Sequence, residues 1–253
     1  MSQIPAARNT LAIVRFLASR SGPVPAATLA RALQLPRSST YQLIAVLMDE
    51  GFVVHYPEDH TYGLSSLVAE LGTASLRTTR LARLATPLME KLVGRVSIPV
   101  VAHLAVLSGT DVVYAARVQG LRAPMTVSAI GVHLPAHLTA TGRALLALLP
   151  KTQVRALYPN KRQLTLRTAV GPSGLGDLDG ILLATRDRGW ATEIGEITSE
   201  YASVGAAAVD RNDYPSAAIG LTFRADAVGD AWADLGGATA ETARALSARL
   251  SGK

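Results

Sequence analysis

Apolar residues recur at helical spacing through the first fifty positions. Leu11, Val14 and Leu17-Ala18 mark the inward side of a helix over about Ala6 to Ser19, which Ser21-Gly22-Pro23 breaks. A second helix follows from about Pro25 to Leu33. In a third, Thr40, Leu43, Ile44 and Leu47 fall at i, i+3, i+4 and i+7. Pro36 suits the start of that helix, where a missing N–H costs nothing, and Gly51 suits its stop. The period then drops from 3.6 to 2. Phe52 to Tyr56 reads as a strand, Pro57 to His60 as a turn, and Thr61 to Leu64 as the returning strand.

Helical spacing resumes from Ser65 through Leu67-Val68, Leu71 and Ala74-Ser75, with Arg77-Thr78-Thr79-Arg80 as a hinge and a further helix from Leu81 to about Val93. Strands and helices then alternate. Val100 to Leu107 and Val112 to Val118 form a hairpin around Ser108-Gly109-Thr110-Asp111, and Met125 to Ala129 reads as another strand. Helices are expected from Thr139 to Leu149, stopped by Pro150, and from Leu178 to Arg188, stopped by Gly189. A loop rich in Gly and Pro covers Thr168 to Gly176. Strands follow at Trp190 to Glu193, Ala202 to Val209 and Ser216 to Arg224, the last two flanking the turn Asp210 to Pro215. A final Ala-rich helix covers about Ala227 to Leu250. The pattern predicts an α+β chain in three parts: a winged helix-turn-helix over 1–64, a linker helix over 65–80, and a mixed α/β domain over 81–253.

Charge sharpens the picture of the first part. Before Asp49 there is no acidic residue, while Arg8, Arg15, Arg20, Arg31 and Arg37 all lie in that span. A solvated surface mixes both signs, whereas a one-sign region is the footprint of a phosphate partner. With Thr40, Leu43, Ile44 and Leu47 turned inward, Arg37, Ser38, Tyr41, Gln42 and Ala45 fall on the outer side of the third helix. Arg pairs bidentately with guanine and Gln with adenine, and Ser38 and Ser39 are placed to meet phosphate beside free backbone N–H groups. This is a helix suited to the major groove of double-stranded DNA. His60 or Tyr62 on the hairpin can approach a neighbouring phosphate, although Glu58 and Asp59 oppose deep insertion into a groove.

The whole chain of 253 residues carries a formal charge of +6, is 49% hydrophobic and has no cysteine. Disulfides and thiolate zinc sites are thereby excluded, and a reducing cytoplasm fits. Neither a signal peptide nor a membrane span is evident. Gly-x-Ser-x-Gly, Walker and His-Glu-x-x-His patterns are missing, so a hydrolase-type enzyme with an accessory helix-turn-helix module is the weaker alternative. No cofactor is expected. Pro135 separates His133 from His137 and rules out a zinc-binding helix face. These histidines and His103 read as structural. Thr139-Ala140-Thr141-Gly142 opens a helix, whose unpaired N–H groups can meet a carboxylate, although for these residues alone an ordinary threonine cap is the better reading.

Several segments together resemble the IclR family of bacterial transcriptional regulators. They are Leu35-Pro36-Arg37-Ser38-Ser39-Thr40, Tyr62-Gly63-Leu64, the run from His133 to Ala147, Arg188-Gly189-Trp190 and the two late strands with their turn. The resemblance implies a homodimer, often a dimer of dimers, with a GAF-like effector domain and a small organic acid that alters operator affinity. It places the effector against Ala140, Thr141, Glu193, Tyr201, Ser203, Gly220 and Thr222. Many members carry His-Arg where this chain has Tyr41-Gln42, which implies a different operator sequence. Ser203 stands where many have Cys, Gly220 where some have Ser, and Glu193 where some have Asp. An acid is awkward in a pocket for an anion, so Glu193 is expected either to meet a ligand hydroxyl or to point away. Tyr201 offers an aromatic wall and favours an aromatic acid.

Overall fold

The computed structural model describes residues 4–20, 22–126 and 128–252, without the side chains of 72–77 and 161. The chain divides into two compact units after Arg77.

In the first unit, helices α1 (Pro5–Ala18), α2 (Ala26–Ala32) and α3 (Arg37–Asp49) surround a small core. Strand β1 (Val24–Pro25) precedes α2, and the hairpin β2 (Val53–Tyr56) and β3 (Thr61–Leu64) follows α3, giving a three-stranded sheet in the order β1-β3-β2. Ile13, Leu17, Leu29, Ile44, Leu47 and Val53 form the core. The inward side of α1 therefore differs from the expected one. Ile13 and Leu17 are buried and Val14 packs partly against them, but Leu11 is 64% exposed and Ala18 is also exposed. Ser21 of the expected break lies outside the described residues. Gln34 takes φ +54° in the turn between α2 and α3, and Gly51 takes φ +75° after α3, where a side chain would be strained. Pro36 stands just before α3, and its carbonyl accepts from Thr40 Oγ1 at 3.0 Å.

Helix α4 (Ser66–Arg95) runs without interruption through the expected hinge at Arg77 to Arg80. Propensity favours this, since Leu76, Arg77, Arg80 and Leu81 are good helix formers and no Gly or Pro interrupts 74–86.

The second unit is built on a six-stranded antiparallel sheet: β4 (Val101–Ser108), β5 (Asp111–Gln119), β6 (His133–Pro135), β7 (Ala191–Ile194), β8 (Tyr201–Val209) and β9 (Pro215–Arg224), in the order β6-β5-β4-β9-β8-β7. Leu81, Ala85, Leu88, Met89 and Leu92 of α4 pack on one face, as do Leu235 and Leu246 of α8 (Trp232–Ser251). The other face receives α5 (Ala140–Leu148), α6 (Lys151–Leu157) and α7 (Leu175–Arg188). The expected strand at Met125 to Ala129 is not formed. Met125, Thr126, Ser128 and Ala129 have no regular structure, Val127 lies outside the described residues, and the edge of β5 is paired instead by the three residues of β6.

Ile44 is 1% exposed at the centre of the first core. Ile44→Ala is expected to cost about 2–5 kcal/mol in the urea transition of the first unit. Leu11→Ala at the exposed position should stay within about 0.5 kcal/mol.

Candidate functional site

Two arrangements carry chemistry, one in each unit. On α3, Thr40, Ile44 and Leu47 are buried, while Arg37, Ser38, Tyr41, Gln42 and Ala45 are exposed and Ser39 is half-buried. Tyr41 is 55% exposed although it is a large aromatic residue. The side chains of Thr28, Arg31 and Arg37 border one groove beside α2 and α3. At the hairpin tip His60 is exposed, whereas Tyr62 is half-buried and stacked on His55 with ring centroids 4.7 Å apart. Of the two hairpin residues, only His60 is offered to a partner. The outer face of α3 thus presents guanidinium, hydroxyl and amide groups, and it has no acidic neighbour until Asp49.

The second arrangement is a cavity in the second unit. Ala140, Thr141, Glu193, Tyr201, Ser203, Gly220 and Thr222 all line it, joined by His103, Tyr114, Thr126, Ser128, Ile197 and Thr198. Its volume is about 30 Å³, room for about two water molecules, and about 470 Å³ with its mouth included.

Sheet register explains the gathering of residues far apart in sequence. Glu193, Ser203, Thr222 and Val101 lie side by side across β7, β8, β9 and β4. The neighbouring row is Ala191, Gly205, Gly220, His103 and Arg117. The two central glycines of that row let the first turn of α5 lie on the sheet. A Cβ on Gly205 would sit 2.6 Å from the Ala140 carbonyl carbon, and one on Gly220 would sit 2.6 Å from the Thr141 methyl. Thr139 caps α5 by accepting from Gly142 N at 3.0 Å. The amides of Ala140 and Thr141 thus belong to a capped helix start that borders the cavity. Thr141 Oγ1 is buried beside the Tyr114 hydroxyl, without hydrogen-bond geometry to any partner among the described residues.

Glu193 is buried and points inward. Its Oε1 accepts from Glu196 N at 2.8 Å and Ile197 N at 3.2 Å, and its Oε2 accepts from Ser203 Oγ at 3.0 Å. Ser203 Oγ lies 3.0 Å from Thr222 Oγ1. Burial outweighs these hydrogen bonds and pushes the carboxyl up to about 7. Burial also pushes the Tyr114 hydroxyl up to about 12 and His103 down to about 3, so His103 is neutral in the physiological range. Its Nε2 lies 3.1 Å from Ser128 Oγ, which ties Ser128 to the cavity wall. Of the other histidines, His137 is buried against Thr165 O at 3.1 Å, and His133 is exposed. Among the described residues no group of three or more His, Cys, Asp or Glu side chains is placed to hold a metal ion.

Sequence reasoning missed Arg143. This arginine sits inside α5 with its side chain 4% exposed, and it holds Glu196 bidentately at 2.6 and 3.1 Å. It also donates from Nε to His137 O at 2.9 Å and from Nη1 to Thr192 O at 2.7 Å. A cation directly before the apolar run Ala144 to Ala147 was the available signal, but its partner lies fifty-three positions away.

Known proteins share both units. The family model described as the IclR helix-turn-helix domain matches residues 6–57. The one described as the bacterial transcriptional regulator IclR C-terminal matches residues 73–248. The chain belongs to the IclR family. It is a transcriptional regulator, as are its relatives, and regulators of this family bind operator DNA and small-molecule effectors. The glycerol operon regulatory protein of Streptomyces coelicolor is 28% identical over 250 residues, which cover 98% of this chain and 96% of the relative. The transcriptional repressor IclR of Escherichia coli is 26% identical over 224 residues, 87% of this chain and 80% of the relative. Among solved structures, the Agobacterium tumefaciens repressor BlcR aligns with a TM-score of 0.59 at 27% identity, covering 98% of this chain and 97% of that one. The Thermotoga maritima IclR shares the fold, with a TM-score of 0.65 at 23% identity and 98% and 99% coverage. The α+β architecture with its N-terminal helix-turn-helix is therefore the IclR-family fold.

Arg143→Met would leave Glu196 buried without its cation, at a cost of about 3–5 kcal/mol in the urea transition of the second unit. Adding Glu196→Gln to that variant should restore more than half of the loss, because the stranded charge is then gone.

Proposed function

We propose that this IclR-family regulator binds its operator through α3 and releases or retains it according to a small organic acid held in the second unit. The observation that carries this reading is the cavity itself. Residues from α5, β7, β8 and β9 converge on one space at the capped start of a helix, where the Thr141 hydroxyl is buried beside that of Tyr114. The helix start supplies N–H groups and the positive end of the dipole to a carboxylate. Ala140, Thr141, Glu193, Tyr201, Ser203, Gly220 and Thr222 are the contact residues in this reading. Tyr201 and Tyr114 give the space aromatic walls and favour a ring over a two- or three-carbon chain. The fold is known to accommodate such a ligand, since an IclR homolog from Microbacterium hydrocarbonoxydans, 19% identical with a TM-score of 0.60, was solved as a complex with 4-hydroxybenzoate.

A space for about two waters does not hold a ring, so the effector enters when the walls separate. Thr126 and Ser128 line it without helix or strand and outside the loop that Arg143 anchors through Glu196. Movement of this wall gives two conformations of unequal effector affinity, which is what a ligand-driven shift requires. We assign the parts as a reading unit over 1–64, a linker over 65–80 and an effector unit over 81–253. In a homodimer, alone or paired into a tetramer, two copies of α3 must match successive turns of DNA, about 34 Å apart. A coupling of about 1–3 kcal/mol through α4 changes operator affinity about 5–150-fold. Arg37, Ser38, Ser39, Tyr41 and Gln42 are the DNA contacts of this reading. It requires no cofactor and no catalysis, and a cytoplasmic setting suits it. Among the described residues no helix is long and apolar enough to cross a membrane.

Two measurements test the reading. In gel shifts on the DNA upstream of its own gene, Arg37→Ala and Gln42→Ala should each weaken binding about 5–150-fold, the worth of one bidentate base contact. Unchanged affinity would remove α3 from the groove. In calorimetry benzoate should bind more tightly than pyruvate, and the reverse order would refute the aromatic preference.

A further inference from the structure

The polar edge of the cavity is a chain of three groups with a fixed direction. Ser203 Oγ donates to Glu193 Oε2, so it can only accept from Thr222 Oγ1. Both hydroxyl hydrogens are then spent, and Thr222 shows lone pairs alone to the space. An ionised Glu193 thus makes this edge an acceptor, and it also adds a negative charge. Either property repels a carboxylate.

A proton on Glu193 reverses the chain. Oε1 is occupied by two backbone N–H donors, so the proton belongs on Oε2. From there it donates to Ser203, Ser203 donates to Thr222, and the Thr222 hydrogen is free to meet a carboxylate in the cavity. No cation opposes this change. The guanidinium of Arg143 is committed to Glu196, His137 O and Thr192 O, and among the described residues no ion pair reaches Glu193. The other ionisable groups facing it are Glu196 on the adjoining loop, Tyr114 on β5, Tyr201 on β8 and the neutral His103 on β4. None of them supplies positive charge, and Glu196 adds to the repulsion.

We propose that Glu193 selects the charge of the molecule the cavity accepts: a carboxylate seated against the Ser203–Thr222 edge binds together with one proton, taken from solvent onto Glu193 Oε2, whereas a neutral ligand binds without it. This inference rests on the effector reading given above. The carboxyl of Glu193 titrates near neutrality, so the linkage falls within the working range of pH. The sign is fixed. Below about pH 7 the acid is already neutral and a carboxylate enters at no proton cost. Above it, each unit of pH removes the required form tenfold.

The test is calorimetry of the full chain with benzoate and benzamide from pH 6 to 8.5, in paired buffers of different ionisation enthalpy. The expected benzoate Kd is level up to about pH 7 and then rises about tenfold per unit, with uptake approaching one proton per site at the alkaline end. The benzamide Kd should stay level. Glu193→Gln, whose amide both accepts from the loop N–H groups and donates to Ser203, should bind benzoate with a profile that is level from pH 6 to 8.5. Benzoate binding that is independent of pH, or a slope that survives in Glu193→Gln, overturns the role of Glu193 and leaves the effector reading standing. Failure of benzoate, 4-hydroxybenzoate and pyruvate to bind at any pH overturns the effector reading, and this inference with it.

Discussion

The buried pair of Arg143 and Glu196 is the interaction on which the second unit's cavity depends. Its guanidinium lies in a helix, its carboxylate in the loop between β7 and β8, and both are nearly sealed from water. Two charges pay a desolvation penalty of several kcal/mol each when they leave water. Bidentate geometry and further hydrogen bonds offset it here. Arg143 also donates to His137 O and Thr192 O, and Glu196 Oε2 accepts from Ile194 N at 3.0 Å. The pair therefore fixes three backbone segments at once. The loop so anchored carries Ile197 and Thr198 into the cavity wall and presents the amides that hold Glu193.

Close approach is the second constraint, and it belongs to glycine. The first turn of α5 lies directly on β8 and β9, because Gly205 and Gly220 have no side chain to hold it off. On its other side, Gly142 meets the backbone of Ala136 so closely that a Cβ there would overlap the carbonyl. Three glycines thus bring a helix start against a sheet, and the cavity is what remains between them. Larger side chains would lift the helix and move Thr141 away from Tyr114. The ion pair and the glycines act on the same element from opposite ends.

Much of this was legible in the residues, and the failures have physical causes. The α3 stripe was clear because Thr40, Ile44 and Leu47 admit only one inward side. In α1 the apolar positions allow two sides roughly a quarter-turn apart, and packing chose Ile13 with Leu17 over Leu11. The segment at Met125 to Ala129 looked like a strand, but Thr126 and Ser128 line the cavity instead, and Ser128 Oγ lies 3.1 Å from His103 Nε2. The seven residues placed in the cavity by family resemblance do meet around one space. Their order across the sheet was not legible, because it depends on register between β7, β8, β9 and β4. Arg143 escaped notice for the same reason: its meaning lies in a partner that only the fold supplies.

A carboxylate in this cavity stands between opposed influences. The helix start of α5 attracts it with N–H groups and a partial positive charge, typically worth less than about 2 kcal/mol even when partly buried. Glu193, when ionised, repels it. At equal distance the repulsion between two full charges exceeds the attraction of a half charge, so the helix start does not decide the outcome alone. The stronger term is the one that titrates. The fold commits the buried guanidinium of Arg143 to Glu196, which secures the loop, and leaves the neighbouring carboxyl to be neutralised by a proton. Rigidity of the wall and sensitivity to ligand charge then come from the same placement of Arg143.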